Sequence, residues 1–216
     1  MRIEVWSDIV CPWCYLGKRR LESALADFEH AGDTEVVWRS FQLDPTYPKG
    51  RRQPVYEALA AKTGGSPAQV QAMTGQVATL AAQEGLAYDF GRAVMVNTFD
   101  AHRLTHLAAA HDLGGQMHER LMRAQLIEGE TLDDAETLVR MGEEVGVPAD
   151  EVRQMLAGDG YAQEVEEDIR QARLLGATGV PFFVLDRAYG IAGAQPVETL
   201  LSALRTAHQH TGTTAR

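Results

Sequence analysis

The hydrophobic pattern divides the chain into β-rich ends and a helical middle. Residues 2–7 form a short apolar run that is typical of a buried strand, and residues 15–28 have the spacing of an amphipathic helix. A second strand is predicted over residues 35–43, because its β-branched and aromatic side chains favour β-structure, and the Asp-Pro pair at residues 44–45 ends it.

The middle of the chain shows no convincing alternation of period two, but it contains repeated signals for helix ends. Ser66 begins a capping box, and Thr98 is a plausible N-cap. The predicted helices span residues 67–84, 99–113, 116–128, 133–145, 149–157 and 159–174. Glu164, Glu166, Glu167 and Asp168 are interpreted as a solvated face of the last of these helices.

After residue 176 the pattern returns to β-structure. Residues 181–185 and 189–192 predict two strands paired as a hairpin, Pro196 opens a C-terminal helix, and residues 208–216 are expected to form a frayed tail. Because the strands lie at both ends, the sequence predicts the α/β class: one sheet built from both termini and interrupted by a helical insertion.

Composition narrows the classes of function. The 216 residues are 45% hydrophobic and 23% charged, which is ordinary for a globular protein. The formal net charge of −10 argues against a nucleic-acid partner. The chain has no run of eighteen apolar residues and no pattern of a secretory signal, so we expect a cytoplasmic protein without a membrane partner.

The chain has two cysteines, Cys11 and Cys14, and they lie between the first strand and the first helix. At this spacing one thiol can attack a substrate disulfide while the other resolves the mixed disulfide. A helix N-terminus stabilises a thiolate through its dipole and its free N–H groups. We therefore predict that Cys11 is the nucleophile and Cys14 is the resolving thiol.

Two other interpretations of the pair stay open at this point. Half of a zinc site has the same spacing, and His102 and His106 lie four residues apart on a predicted helix, although no further cysteine exists. A structural disulfide would close only a very small loop and constrain little. In a reducing cytosol a lone cysteine pair is more often catalytic or metal-binding than structural.

Four segments together carry a resemblance to a known family. They are Ser7-Asp8-Ile9-Val10-Cys11-Pro12-Trp13-Cys14-Tyr15-Leu16-Gly17-Lys18, Asn97-Thr98-Phe99-Asp100-Ala101-His102-Arg103-Leu104, Gly176-Ala177-Thr178-Gly179-Val180-Pro181-Phe182-Phe183 and Gly193-Ala194-Gln195-Pro196. With them the chain resembles the DsbA-like thioredoxin superfamily, and most closely its FrnE-like branch. The resemblance implies a thioredoxin fold, which we place at residues 1–45 and 171–216, with a helical insertion at residues 46–170.

The resemblance also implies a site. It implies a redox dithiol at Cys11 and Cys14, and a cis proline at Pro181 whose loop lies against the dithiol. The backbone of Val180 would pair with an extended substrate segment, and Pro12 and Trp13 are expected to contact substrate. On local grounds alone, a proline before a strand is commonly just the first residue of an edge strand.

Four further residues are weaker candidates. Asn97 and His102 could line the active-site groove; alternatively Thr98 only caps its helix and His102 packs or faces solvent. Asp8 could assist proton transfer as Cys14 attacks, or it could cap a loop. Lys18, together with Arg19, is expected to favour the thiolate through its positive charge.

The leading hypothesis is a thiol–disulfide oxidoreductase, or disulfide isomerase, of the FrnE type. Its substrates would be protein or small-thiol disulfides. No metal and no cofactor beyond the cysteine pair is expected, with a low-molecular-weight thiol as a potential co-substrate. The alternatives are a glutathione-dependent isomerase or transferase of the 2-hydroxychromene-2-carboxylate isomerase and kappa class, which typically carries serine at the first cysteine, and a non-enzymatic zinc-binding or chaperone-like module.

Overall fold

A central sheet joins the two ends of the chain in the computed structural model, which describes residues 1–214. The strands are β1 (Arg2–Ser7), β2 (Glu35–Ser40), β3 (Gln53–Pro54), β4 (Val94–Met95), β5 (Phe182–Leu185) and β6 (Tyr189–Ala192). Four of them form one sheet in the order β2-β1-β5-β6. β1 runs parallel to β2 and antiparallel to β5, and β5 and β6 form a hairpin.

Helices cover both faces of this sheet and form the insertion. They are α1 (Pro12–Ala26), α2 (Val55–Thr63), α3 (Pro67–Gln83), α4 (Phe99–Ala109), α5 (Gly114–Arg123), α6 (Ala135–Val145), α7 (Ala149–Ala157), α8 (Ala162–Leu174) and α9 (Val197–Thr214). The predicted boundary at residue 171 falls inside α8. Within the described residues, no helix is long and apolar enough to cross a membrane.

The alternation along β1 determines which helices pack on which face. Ile3 and Val5 belong to a buried cluster with side chains of α1 and α9. Trp6 points to the opposite face, where its indole Nε1 donates to the backbone oxygen of Asp168 on α8 at 2.8 Å. Both faces of the strand are therefore buried, which explains why its sequence is an apolar run.

The insertion has its own hydrophobic core, and that core reaches the cysteines. Cys11, Cys14 and Tyr15 belong to the same buried cluster as the apolar side chains of α4, α5 and α6. The prediction of an all-helical insertion was wrong in one detail, because β3 and β4 form a small antiparallel pair. Strands of two residues are too short to show any alternation in the sequence.

The start of α4 also differs from the prediction. Thr98 occupies the N-cap position, but its side chain makes no cap hydrogen bond. The neighbouring Asn97 supplies the acceptor instead, since its Oδ1 receives the backbone N–H of Phe99 at 2.9 Å. The helix ends at Ala109, four residues before the predicted end at Leu113.

The tail predicted to fray from residue 208 is helical as far as Thr214 in α9; residues 215–216 lie outside the described part of the chain. Tertiary contacts explain this correction. The ring of His208 stacks on His30, with centroids 3.8 Å apart, and Ala207 is fully buried. A local sequence pattern cannot reveal a partner some 180 residues away.

The acidic group on α8 is only partly solvated, which corrects a further prediction. Glu164 and Glu166 are exposed, but Asp168 is 2% exposed. Its carboxylate accepts the backbone N–H of Ser40 at 2.9 Å and pairs with Arg39 at 3.1 Å. Asp168 therefore fastens α8 to the edge strand β2.

Candidate active site

The two cysteines lie at the N-terminus of α1, directly after β1. Cys11 is the N-cap residue, and Pro12 occupies the first helical turn, where a missing N–H leaves no hydrogen bond unmade. The turn is closed by the N–H of Cys11 on the Asp8 carbonyl and by the N–H of Cys14 on the Cys11 carbonyl, both at 3.0 Å. Both thiols are free in the structure.

The loop before β5 meets the dithiol from the other end of the chain. The Val180–Pro181 peptide bond is cis. The carbonyl oxygen of Val180 lies 3.7 Å from Cys11 Sγ. The fold thus brings together four residues that the sequence predicted for the site, over a separation of about 170 positions.

Both thiols are buried, and the surroundings of Cys14 disfavour its ionised form. Cys11 is 4% exposed and Cys14 is 1% exposed. Burial raises the pKa of the Cys14 thiol well above its ordinary value, and the adjacent Cys11 adds to this. Burial therefore disfavours the thiolate form of Cys14.

Of the two residues between the cysteines, Pro12 is hydrogen-bonded to the insertion and Trp13 is exposed to solvent. The hydroxyl of Tyr88 donates to the Pro12 carbonyl at 2.7 Å, which ties the active-site turn to the insertion. Trp13 is 41% exposed, unlike most large apolar side chains of this protein. An exposed indole next to the cysteine pair can contact another molecule without rearrangement.

Asp8, Asn97 and His102 are all buried. The carboxylate of Asp8 accepts the backbone N–H of Leu43 at 2.7 Å and lies 3.3 Å from His102 Nε2. The amide of Asn97 donates to the Tyr47 carbonyl at 2.6 Å. Because their polar atoms have partners within the protein, this arrangement favours a supporting role over direct contact with substrate.

Lys18 lies in a charged cluster between α1 and α5. Its ammonium pairs with Glu22 and, at 2.8 Å, with Glu119. Tyr15 also donates to Glu119, at 2.5 Å. Burial alone would raise the pKa of Glu119, but hydrogen bonds from Arg19, Lys18 and Tyr15 lower it to about 2. The positive charge of Lys18 is thus balanced by two carboxylates.

Sequence reasoning did not identify Glu119, Ser7 or His118. Glu119 binds Lys18 and Tyr15 on α1, and Ser7 is the last residue of β1, just before the cysteine turn. Ser7 Oγ and His118 Nε2 are 3.0 Å apart, and both residues are buried. These residues occupy ordinary positions in a strand and an amphipathic helix. Nothing in a single sequence pairs side chains 111 positions apart.

The histidine pair considered as a metal site is divided between different partners. His102 lies beside Asp8, whereas His106 Nε2 lies 3.0 Å from Asp168 and 3.1 Å from Ser40 Oγ. Among residues 1–214, no group of three or more His, Cys, Asp or Glu side chains is arranged to hold a metal ion.

Comparison with known proteins gives a family and a fold. The model of the DSBA-like thioredoxin domain matches residues 2–205. A crystal structure of a probable DsbA oxidoreductase from Streptomyces coelicolor is 48% identical, with a TM-score of 0.94 over 97% of this chain and 90% of that one.

Two more distant structures share the fold. A 2-hydroxychromene-2-carboxylate isomerase is 16% identical, with a TM-score of 0.72 over 99% of both chains. The cytosolic disulfide reductase DsbM from Pseudomonas aeruginosa, solved with GSH, is 22% identical, with a TM-score of 0.66 over 97% of this chain and 100% of that one.

Proposed function

The chain belongs to the family of DSBA-like thioredoxin domains, and from this premise we propose that it is a thiol–disulfide oxidoreductase with Cys11 as nucleophile and Cys14 as resolving thiol. One observation carries the proposal. Cys11 caps the N-terminus of α1 with its sulfur 3.7 Å from the carbonyl oxygen of Val180, the residue before the cis proline. A sulfur in this position lies where the helix dipole favours a thiolate.

The reaction is an exchange of sulfur–sulfur bonds. The Cys11 thiolate attacks one sulfur of a substrate disulfide, the substrate bond breaks, and the other sulfur leaves as a thiolate that takes a proton from water. Cys14 loses its proton and attacks Cys11 Sγ, so that the Cys11–Cys14 disulfide forms and the second substrate sulfur leaves. The substrate gains two electrons and the dithiol loses two; the reverse sequence oxidises a substrate dithiol.

The surroundings of Cys11 suit a disulfide that belongs to an extended peptide segment or to a small molecule. The carbonyl oxygen of Val180 lies beside the Cys11 sulfur, and the exposed Trp13 offers an apolar surface. We propose protein or small-thiol disulfides as substrates, with activity of the FrnE type and with the cysteine pair as the redox group. The DsbM structure with GSH supports a low-molecular-weight thiol as co-substrate.

Trapping of the mixed disulfide tests the proposal. Cys14→Ala, incubated with glutathione disulfide or with a peptide disulfide, should accumulate a one-to-one adduct at Cys11 that a reductant releases. Cys11→Ala is the matched control and should form no such adduct. Intact-mass measurement and peptide mapping locate the bond.

Two results would overturn the proposal. One is that neither variant traps a thiol while both keep full activity in a glutathione-dependent isomerase or transferase assay. The other is stoichiometric zinc in the purified protein that disappears in Cys14→Ser. The first would favour the isomerase and transferase class, and the second would favour a zinc-binding module.

A further inference from the structure

A hydrogen bond connects the helical insertion to the peptide between the two cysteines. The hydroxyl of Tyr88 donates to the carbonyl oxygen of Pro12 at 2.7 Å, across 76 positions of sequence. Burial raises the pKa of Tyr88 well above its ordinary value, and the charge of an ionised Cys11 adds to this. The hydroxyl therefore keeps its proton and remains a donor to the cysteine turn.

Ring contacts fix the orientation of Tyr88. Its ring stacks on Tyr15 of α1, with centroids 6.2 Å apart and an angle of 28° between the planes. The ring of Phe90 meets it edge-on, with centroids 5.6 Å apart and an angle of 72°. A phenylalanine at this position would keep both ring contacts and lose only the hydroxyl. The role of the hydrogen bond can thus be separated from that of the ring.

A π-helical turn holds the segment that carries Tyr88. The turn spans Ala124–Glu128, directly after α5. Within it, the carbonyl of Leu126 accepts the N–H of Asp89, the residue after Tyr88, at 2.8 Å. Single π-helical turns in helical segments are frequent at functional sites. The hydroxyl of Tyr88 is thus positioned by a backbone hydrogen bond to the insertion as well as by its ring contacts.

The N-cap position of Cys11 decides which backbone donor can meet its thiolate. An N-cap side chain accepts from the N–H of the second or third helical residue, which are Trp13 and Cys14. The N–H of Cys14 is already bonded to the Cys11 carbonyl at 3.0 Å. The N–H of Trp13 has no partner among the residues that the structure describes. When Cys11 ionises, Trp13 is the donor that remains for the sulfur.

Tyr88 acts on this donor through a single peptide unit. The Pro12 carbonyl and the Trp13 N–H belong to the same resonance-stabilised group, so they polarise together. A donor on the oxygen makes the N–H a stronger donor, as in other chains of hydrogen bonds inside a protein. We propose that Tyr88 is a positioning residue of the exchange: its hydroxyl orients and polarises the Pro12–Trp13 peptide, whose N–H stabilises the Cys11 thiolate. This inference rests on the proposed function, because it concerns the first step of the exchange.

The hydrogen bond acts before a sulfur–sulfur bond changes. Cys11 loses its proton to water, and the thiolate accepts the N–H of Trp13. The thiolate then attacks one sulfur of glutathione disulfide, the sulfur–sulfur bond breaks, and the second glutathione leaves as a thiolate that takes up one proton. Tyr88 keeps its proton throughout, so it changes how readily Cys11 ionises and not which bonds form.

Other ionisable groups are linked by contacts to the cysteine turn or to Tyr88, and they are held constant in the test. They are Asp8 in the turn, Tyr15, Lys18 and Arg19 on α1, His102 on α4 and Glu119 on α5. Cys14 is replaced by alanine in every protein of the series, so that only Cys11 exchanges. A change in the pH profile between two proteins of the series is therefore due to the tyrosine that differs.

The experiment measures the rate of Cys11 attack on glutathione disulfide as a function of pH in the Cys14→Ala background. Tyr88→Phe should move the midpoint of the profile upward by about 0.5 unit, because polarisation supplies about 10–30% of a hydrogen bond to a charged group. Below the midpoint the rate should fall about threefold. Above it, where Cys11 is fully ionised, the two rates should agree within about twofold, since the attacking sulfur and its surroundings are the same.

Tyr47→Phe is the matched control. Tyr47 is half-buried, and its hydroxyl has no hydrogen-bond partner within residues 1–214. The substitution removes a hydroxyl from the same type of residue without changing a contact of the cysteine turn. The midpoint and the rate above it should both equal those of the parent. Urea unfolding of the three proteins shows whether either substitution weakens the fold.

The outcomes separate this inference from the function on which it rests. If the Cys14→Ala parent forms no mixed disulfide at Cys11, the proposed function fails. If the mixed disulfide forms and Tyr88→Phe has the midpoint of its parent, only the role of Tyr88 fails. A lower rate above an unchanged midpoint also overturns that role, because Tyr88 would then only hold the shape of the turn.

A second substitution at the same position keeps the test decisive if Tyr88→Phe does not fold. A fluorinated tyrosine placed at position 88 retains the ring and the hydroxyl, and its more acidic hydroxyl is a stronger donor. It should therefore lower the midpoint of the pH profile of Cys11 attack. An unchanged or higher midpoint would overturn the proposal.

Discussion

Gly17 on α1 lies directly against Pro181, so that a Cβ placed on Gly17 would be 2.9 Å from Pro181 Cγ and 3.3 Å from the ring of Phe183. This contact sets the distance between the helix that carries the cysteines and the loop that faces them. No larger side chain fits at position 17 without moving the loop, because a separation of 2.9 Å lies inside van der Waals contact.

Gly17→Ala is therefore expected to reduce both stability and exchange. The gain in helix propensity is about 1 kcal/mol, and overpacking against Pro181 costs about 1–3 kcal/mol. Displacement of the Val180–Pro181 loop should slow disulfide exchange by about 10- to 100-fold. Urea unfolding and the rate of glutathione disulfide reduction measure the two effects.

The control is Gly75→Ala. Gly75 lies in the interior of α3, and a Cβ there would meet nothing within 4 Å. This substitution should raise the free energy of unfolding by up to about 1 kcal/mol and leave the exchange rate unchanged. If both variants gain stability and keep their exchange rates, the loop does not depend on the small size of Gly17.

Several features of the fold and of the site can be predicted from the sequence. The sequence predicted the four strands of the main sheet, and the signal is strongest for β1 and β5, because burial of a strand on both faces leaves an apolar run. Cys11 and Cys14 were predicted at the junction of the first strand and the first helix, and they lie there. Pro181 was placed against the dithiol through resemblance, since nothing in its neighbouring residues indicates a partner at the other end of the chain.

The burial of Asp168 escaped prediction for a physical reason. Whether a charged side chain is solvated or buried depends on what packs against it, and Asp168 has the same local pattern as the exposed Glu164 and Glu166. Its burial follows from Ser40 and Arg39 on β2, which lie almost 130 positions away. The same argument applies to Ser7 with His118.

Asp168→Asn should destabilise the protein by about 3 kcal/mol, because it leaves Arg39 without one of its two buried carboxylate partners. Glu4, the other partner, remains and limits the loss. Chemical denaturation at pH 7 measures the change. Glu166→Gln on the same helix is the control and should change the free energy of unfolding by less than about 0.5 kcal/mol.

If Asp168→Asn lowers the free energy of unfolding no more than the control does, α8 is held by its apolar contacts alone. Exchange kinetics should be affected less than stability, because Asp168 contacts β2 and not the dithiol. A variant that stays fully stable but loses exchange activity would contradict this prediction, because Asp168 would then have to act on the dithiol.

The lowered pKa of Glu119 predicts that the stability of the protein falls at acidic pH. Its pKa in the folded protein, about 2, lies below the ordinary value of 4.5. A carboxyl whose pKa is depressed on folding contributes stability that is present above the unfolded value and is lost as the pH falls through the folded value. The contribution is about 1–2 kcal/mol after allowance for solvent screening at this half-buried site.

Glu119→Gln should therefore lower the free energy of unfolding by this amount at pH 7, and the difference from wild type should shrink as the pH falls from about 4.5 to about 2. Urea unfolding measured at intervals between pH 2 and pH 7 tests the sign and the window. Glu164→Gln, exposed on α8, should show no such convergence. A deficit for Glu119→Gln that stays constant across this range would mean that the carboxylate stabilises the fold through shape and packing, and not through its charge on Lys18 and Arg19.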